Sequence, residues 1–371
     1  MTKLKKKVCI AMSGGVDSAV AAALLKQQGY DCLGIFCKFW SEPKASTVEN
    51  KCCSADAYSD ARKVAGKLGM PLYTLNLEEP FKRLVVDDFL AQYQKGLTPN
   101  PCVRCNRFIK FDLLLQKAKL LGCDYLATGH YVKIRKQKSE NRNQKKRNLS
   151  LISDLCSLEI AKDKQKDQSY FLYNLNQSQL SHLLFPLANL TKTQVRAMAK
   201  KLKLPVYLKP ESQEICFVPE KNHYAFLARQ LKLKPGPIKT LAKKTLGTHR
   251  GLPLYTLGQR EGIGIGGIGP FYAVKLDYKT NTLFVSPNRD DKLLYAKKFK
   301  IKAVNWLAGR PPKKSEPIGV KIRHQAKTVP ARLEKNYVIL KTFQRAVMPG
   351  QSAVFYQGKK LLGGGVIEKR Y

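Results

Sequence analysis

A chain of 371 residues is long for a single hydrophobic core, and its 44 % apolar content implies that most of it folds, in two or three domains. Lys and Arg number 67 against 27 Asp and Glu, a formal charge of +40, which favours a polyanionic partner such as nucleic acid, although a generally basic lineage would show the same excess. The basic amino end is followed by an apolar stretch that stops at Ser13, too short for a secretory leader, and no run approaches the ~20 apolar residues of a membrane span, so a soluble cytoplasmic protein with no membrane partner is expected.

The first predicted element is a buried strand over Val8–Met12, followed by Ser13-Gly14-Gly15-Val16-Asp17-Ser18 and a helix through Ala19–Leu25. Two glycines at the crossing let the backbone turn tightly and approach a ligand without a Cβ in the way. Successive N–H groups and the positive end of the helix then face one point, which suits a phosphate. Ser13 and Ser18 add hydroxyl donors, and Asp17 either caps the helix or helps hold Mg2+ beside a bound triphosphate. An ordinary strand–turn–helix corner fits the same residues. No Gly-Lys-Ser/Thr follows, so this is not a Walker A loop.

Further strands are predicted at 32–37, 72–77 and 124–130, with helices at 52–69, 81–93 and 112–121 between them. This alternation argues for a parallel sheet covered on both faces, with ligands at the carboxyl ends of its strands, where the Ser13 loop falls. The basic segment 133–147 predicts a mobile surface hairpin or loop able to brush a phosphate backbone. The helical pattern breaks at Leu204-Pro205, and Pro210 marks a boundary, giving expected domains 1–209, 210–288 and 289–371. The middle one carries a glycine-rich segment at 258–267. The last has short alternating stretches at 337–340 and 352–356 that suggest an antiparallel barrel. The expected class is α/β: a doubly wound parallel sheet, a small central domain and a carboxyl-terminal β-barrel.

All ten cysteines lie at or before Cys216, too lopsided for a secreted disulfide framework, so reduced thiols are expected. Two of them lie in Thr98-Pro99-Asn100-Pro101-Cys102-Val103-Arg104-Cys105-Asn106, which its prolines predict to be a stiff loop. Arg104 and Arg107 beside the thiols favour thiolates, as nucleophiles or metal ligands; two loop cysteines without a role fit as well. Structural zinc would need a second pair, and Cys52-Cys53 has the wrong spacing. A thioredoxin-like reductase would leave the glycine loop unexplained. Cys216, between Ile215 and Phe217, reads either as core or as a reactive thiol. The run Lys166-Asp167-Gln168-Ser169-Tyr170 is ambiguous by itself, an exposed end leading into regular structure.

Residues Ser13–Ser18 resemble the pyrophosphate loop of ATP pyrophosphatases, which cleave ATP to AMP and pyrophosphate. Taken with Thr98–Asn106, Ala127–Tyr131, Asp167–Tyr173, Ile215–Phe217, Thr256–Arg260, Pro349–Tyr356 and Gly363–Gly365, the chain resembles the tRNA-specific 2-thiouridylase family over nearly its whole length. The resemblance implies an amino-terminal fold like that of the adenine nucleotide α-hydrolases. It also implies adenylation of the 2-carbonyl of the wobble uridine of tRNA, followed by sulfur transfer from a cysteine persulfide. By family position Ala11, Met12, Ser13, Gly14, Gly15, Val16, Asp17, Ser18, Cys37 and Gly129 would line the site for ATP with Mg2+. Cys105 would be the nucleophile and Cys216 the persulfide carrier, with a transient Cys105–Cys216 disulfide. Asn100, Pro101 and Cys102 would touch the target base, which must leave its stack. His130, Lys166, Asp167, Gln168, Arg323, His324 and Gln351 would contact tRNA, and a sulfur-donor protein, a cysteine desulfurase or relay protein, would load Cys216.

Two positions depart from the family pattern. Cys102 stands where many members have Asp, so no acid/base or metal role for a carboxylate carries over; Cys37 replaces a usual methionine. Cys102, Cys105 and Cys216 form an alternative ligand set for a 4Fe–4S cluster with one open iron. Other readings are a different ATP-dependent ligase sharing the loop, such as an argininosuccinate- or GMP-synthetase-like enzyme, or a non-catalytic tRNA-binding protein.

Overall fold

Strand β1 (Lys7–Ala11) is apolar on both faces because it lies inside a parallel sheet that is covered on both sides. The computed structural model describes residues 5–42, 54–136, 155–211, 215–218, 223–266, 269–313 and 315–371. Helix α1 (Val16–Gln27), β2 (Asp31–Lys38), α2 (Ala55–Lys67) and β3 (Leu72–Asn76) follow. Two longer helical runs come next, α3 (78–94) and α4 (101–120), each with a π-helical stretch, at Lys82–Val86 and Cys105–Leu113. Strand β4 (Tyr125–Ala127), the hairpin β5 (Lys133–Lys136) and β6 (Cys156–Glu159), β7 (Leu183–Leu184) and α5 (Lys192–Lys201) complete this part.

The sheet order is β3-β2-β1-β4-β7 and every pair is parallel. Alternation along β1 sends Val8 and Ile10 into a cluster with α1, α2 and α5, and Cys9 into a second cluster with Leu33, Leu126 and α4. This is the doubly wound sheet expected. Its order reverses at β1, so a crevice opens between the carboxyl ends of β1 and β4.

One expected loop is a helix. Pro101 occupies the first helical position of α4, where a missing N–H costs nothing and the fixed φ is helical. The Asn100 side chain caps it, Oδ1 accepting from the Val103 N–H at 3.4 Å. The prolines therefore start a helix eleven residues before the expected Asp112, and Cys102 and Cys105 ride on its opening turns. The first residues of the basic segment form β5, one leg of an antiparallel hairpin with β6, while 137–154 and Cys52-Cys53 lie outside the described residues.

The central region holds α6 (His223–Gln230) and a sheet ordered β10-β11-β8-β9, from β8 (Gly236–Thr240), β9 (Thr245–His249), β10 (Tyr272–Asp277) and β11 (Thr282–Ser286). Phe217 packs edge-on against Phe81 and Phe89 of α3 and against Phe226 of α6, joining the central region to the first domain in one apolar cluster. The last region runs β12 (Tyr295–Trp306), β13 (Ile318–Lys321), β14 (Val329–Glu334), β15 (Tyr337–Arg345), β16 (Ser352–Gln357) and β17 (Lys360–Arg370). Antiparallel pairing around the ring closes through β12–β17 into the expected barrel. Strand β6 pairs with β17, so the hairpin of the first domain extends the barrel's sheet. Among the described residues no helix is long and apolar enough to cross a membrane.

Candidate active site

The loop after β1 is shaped by Gly14, at φ +68°, where any Cβ would also overlap the Ala57 carbonyl of α2. Ser18 fastens it: its Oγ accepts from the Ser13 N–H at 3.2 Å and donates to the Gly15 carbonyl at 3.0 Å. Gly15 is the N-cap of α1 and brings no side chain, so the amino end of the helix is left to a ligand's oxygens. Gly129, just past β4, closes the other wall; a Cβ there would stand 2.8 Å from the Asp17 carbonyl carbon. Ala11 and Met12 continue β1 into the crevice, and Val16 and Met12 are buried beneath it. Cys37, near the end of β2, is half-buried beside Leu75.

Asp17 does not cap α1. Its carboxylate accepts from the Tyr131 hydroxyl at 2.8 Å and from Lys192 Nζ at 2.7 and 2.8 Å. Lys192 also reaches Glu211 Oε1 at 2.9 Å, and Glu211 Oε2 takes Lys166 Nζ at 2.5 Å. Burial pushes the Glu211 carboxyl up, but the Lys166 and Lys192 ammonium groups outweigh it and hold it below its ordinary range. The sequence reading missed Lys192, Glu211 and Tyr131. The one local signal was Thr191-x-x-Gln194, whose reciprocal capping bonds start α5 and set Lys192 at its first position.

Cys102 is exposed on α4, whereas Cys105 is buried beside Ile109 within the cluster of Phe81, Phe89 and Phe217. Cys216 is half-buried and packs against that same cluster. Among the described residues no three His, Cys, Asp or Glu side chains are placed to share a metal ion. The fold therefore does not gather the three-thiol set that an iron–sulfur cluster would need. Arg104, expected to sharpen a neighbouring thiol, is engaged by Asp88 at 3.0 Å and by the Leu84 carbonyl, and both Arg104 and Arg107 lie over the Phe108 ring.

The residues expected at tRNA divide into two kinds. Arg323 is exposed on the turn after β13, and Lys166 and Gln168 are half-buried near the crevice. Asp167 is buried, its carboxylate accepting from Ala161 N–H, Ser169 N–H and Ser169 Oγ, while its carbonyl meets His324 Nε2 at 2.9 Å. His130 is buried with Nδ1 2.7 Å from Thr128 Oγ1. Gln351 donates to the Thr98 carbonyl, and the Thr98 N–H donates to the Pro349 carbonyl, so the turn between β15 and β16 grips the chain just ahead of Asn100, Pro101 and Cys102.

A glycine loop at the switch point of a parallel sheet, followed by a small sheet domain and a closed barrel, defines an α/β protein of the HUP class. Family profiles match it in series: a tRNA methyl transferase HUP domain over residues 6–220, a tRNA methyl transferase PRC-barrel domain over 224–287, and an aminomethyltransferase beta-barrel domain over 296–367. The chain is 42 % identical to the tRNA-specific 2-thiouridylase MnmA of Desulforamulus reducens, over 99 % of its own length and 98 % of that protein's. It is 44 % identical to MnmA 1 of Caldanaerobacter subterraneus subsp. tengcongensis and 41 % to MnmA of Clostridioides difficile, each over 99 % of both chains. The chain belongs to the tRNA-specific 2-thiouridylase family.

Proposed function

We infer that this chain is an ATP-dependent sulfurtransferase that replaces the 2-oxygen of the wobble uridine of tRNA with sulfur. The observation that carries the reading is that Cys105 and Cys216, far apart in sequence, belong to one apolar cluster beside the sheet whose β1 ends in the glycine loop. End-to-end likeness to proteins named for this reaction supports it. The loop N–H groups and α1 would hold the triphosphate; attack by the uridine 2-oxygen on the α-phosphorus releases pyrophosphate and leaves AMP as the leaving group. Mg2+ would ride on phosphate oxygens and water, since Asp17 is already committed.

The terminal sulfur of a Cys216 persulfide, loaded by a cysteine desulfurase or relay protein, then attacks C2 and AMP departs. The Cys105 thiolate attacks the Cys216 sulfur, the S–S bond to the transferred sulfur breaks, and a Cys105–Cys216 disulfide forms for an external thiol to reduce. A cytoplasmic setting, with its reducing thiol pool, suits this cycle. Apolar packing around the buried Cys105 would limit the water able to compete for the adenylated carbon.

Incubation with ATP, a sulfur donor and unmodified tRNA, followed by nucleoside mass spectrometry, tests the reading: 2-thiouridine should appear with AMP and pyrophosphate in equal amounts. Cys105→Ala and Cys216→Ala should each abolish thiolation while tRNA binding persists. Thiolation surviving in either variant would contradict the persulfide scheme.

A further inference from the structure

Lys192 opens α5 with its side chain only 11 % exposed, and its ammonium sits between Asp17 of the glycine loop and Glu211. Burying an ammonium costs several kcal/mol unless it is paired, and here two carboxylates supply the pairing. The local charges do not leave a net positive site: Asp17 and Glu211 take the Lys192 and Lys166 ammonium groups, and a third carboxylate, Asp163, accepts the Lys192 backbone N–H at 2.9 Å. As it stands the cradle thus presents backbone N–H groups, with only partial charges, to a ligand carrying several negative charges. The carboxylate that holds Lys192 belongs to the first turn of α1, one residue from Ser18, so the ammonium already borders the place where phosphate oxygens would lie.

We propose that Lys192 is a phosphate ligand of this site, exchanging Glu211 for an oxygen of the β- or γ-phosphate when ATP enters and remaining on pyrophosphate after the AMP group has moved. The inference rests on the reading of the loop as an ATP site. Asp17 keeps Lys192 aimed during the exchange, and Tyr131 steadies Asp17 from the other side. Glu211 is not stranded, because Lys166 stays on its second oxygen. A charge-assisted bond to phosphate replaces one to carboxylate, so the exchange needs no newly buried unpaired charge.

Titration calorimetry with ATP and with inorganic pyrophosphate, on the full chain and its variants, decides the matter. Lys192→Met should weaken both ligands at least about tenfold with tRNA affinity unchanged, and Lys192→Arg should recover part of the loss. Glu211→Gln removes the competing carboxylate and should tighten pyrophosphate binding by about threefold or more. If Lys192 merely ties α5 to α1, Glu211→Gln lowers the melting temperature and leaves pyrophosphate affinity as it was, which overturns the proposal. Should Lys192→Met fail to fold, the sign of the Glu211→Gln effect settles it alone. A wild-type chain that binds no ATP would instead refute the nucleotide reading, whereas ATP bound equally by wild type and Lys192→Met refutes only the role of Lys192.

Discussion

His130 shows how one side chain converts burial into pH dependence. Its ring is enclosed by Phe111 and Phe185, and burial first, then the Lys110 charge, pushes its pKa well below the ordinary imidazole range. Burial displaces His223 and His249 in the same direction. The unfolded chain protonates these rings near pH 6.5 while the folded one resists, so below that pH the unfolded state holds more protons and stability falls. Urea unfolding at pH 7.5 and 5.5 should show a loss of up to about 1.4 kcal/mol per pH unit for each ring that stays neutral. His130→Asn should flatten that slope by about one proton; an unchanged slope would show that His130 is not among the rings responsible. Gly14 makes a different demand, on the backbone. Gly14→Ala imposes a positive φ on a residue with a Cβ and drives that Cβ into the Ala57 carbonyl, so it should cost about 2 kcal/mol or more and abolish ATP binding by calorimetry.

Elements whose shape is fixed by their own residues were legible in the sequence. The apolar run of β1, the two glycines and the alanine-rich α1 specify strand, turn and helix within twenty-one residues, Lys7 to Gln27, although the helix begins at Val16, three residues before the expected Ala19. The repeated strand–helix alternation likewise implied the parallel sheet, and the alternating stretches near the carboxyl end implied the barrel. Pro101 misled, because proline stiffens a loop and opens a helix with the same φ, and only the helical partners downstream decide between them. The Lys192–Asp17 pair was invisible for another reason: its partners are 175 residues apart, and no local pattern encodes so distant a contact. The same holds for the pairing of β6 with β17 of the barrel, two strands far apart along the chain.

At the scale of the molecule, the barrel is a bracket for the first domain. Tyr170 donates to the Ser352 carbonyl at 2.8 Å, the Tyr173 hydroxyl meets Ser352 Oγ, and Asn305 Nδ2 donates to the Tyr173 and Leu175 carbonyls, all across the junction. The turn at Pro349 and Gln351 holds Thr98, so the residues expected at the target base stand on a platform fixed from two domains. Around this frame the surface is strongly cationic. On the barrel's exposed strands Lys297 lies over Phe343 and Lys298 over Tyr337. A substrate held largely through such groups releases counterions as it docks, and each neutralised phosphate adds about 0.7 to 0.9 to the salt exponent. With about six contacts, a plot of log affinity for unmodified tRNA against log KCl concentration should fall with a slope of about −4 to −5. That amounts to a loss of about three orders of magnitude between about 50 and 200 mM salt, measurable by fluorescence anisotropy. A slope shallower than about −2 would mean that the +40 excess lies away from the path of the RNA and that shape and base contacts carry recognition instead.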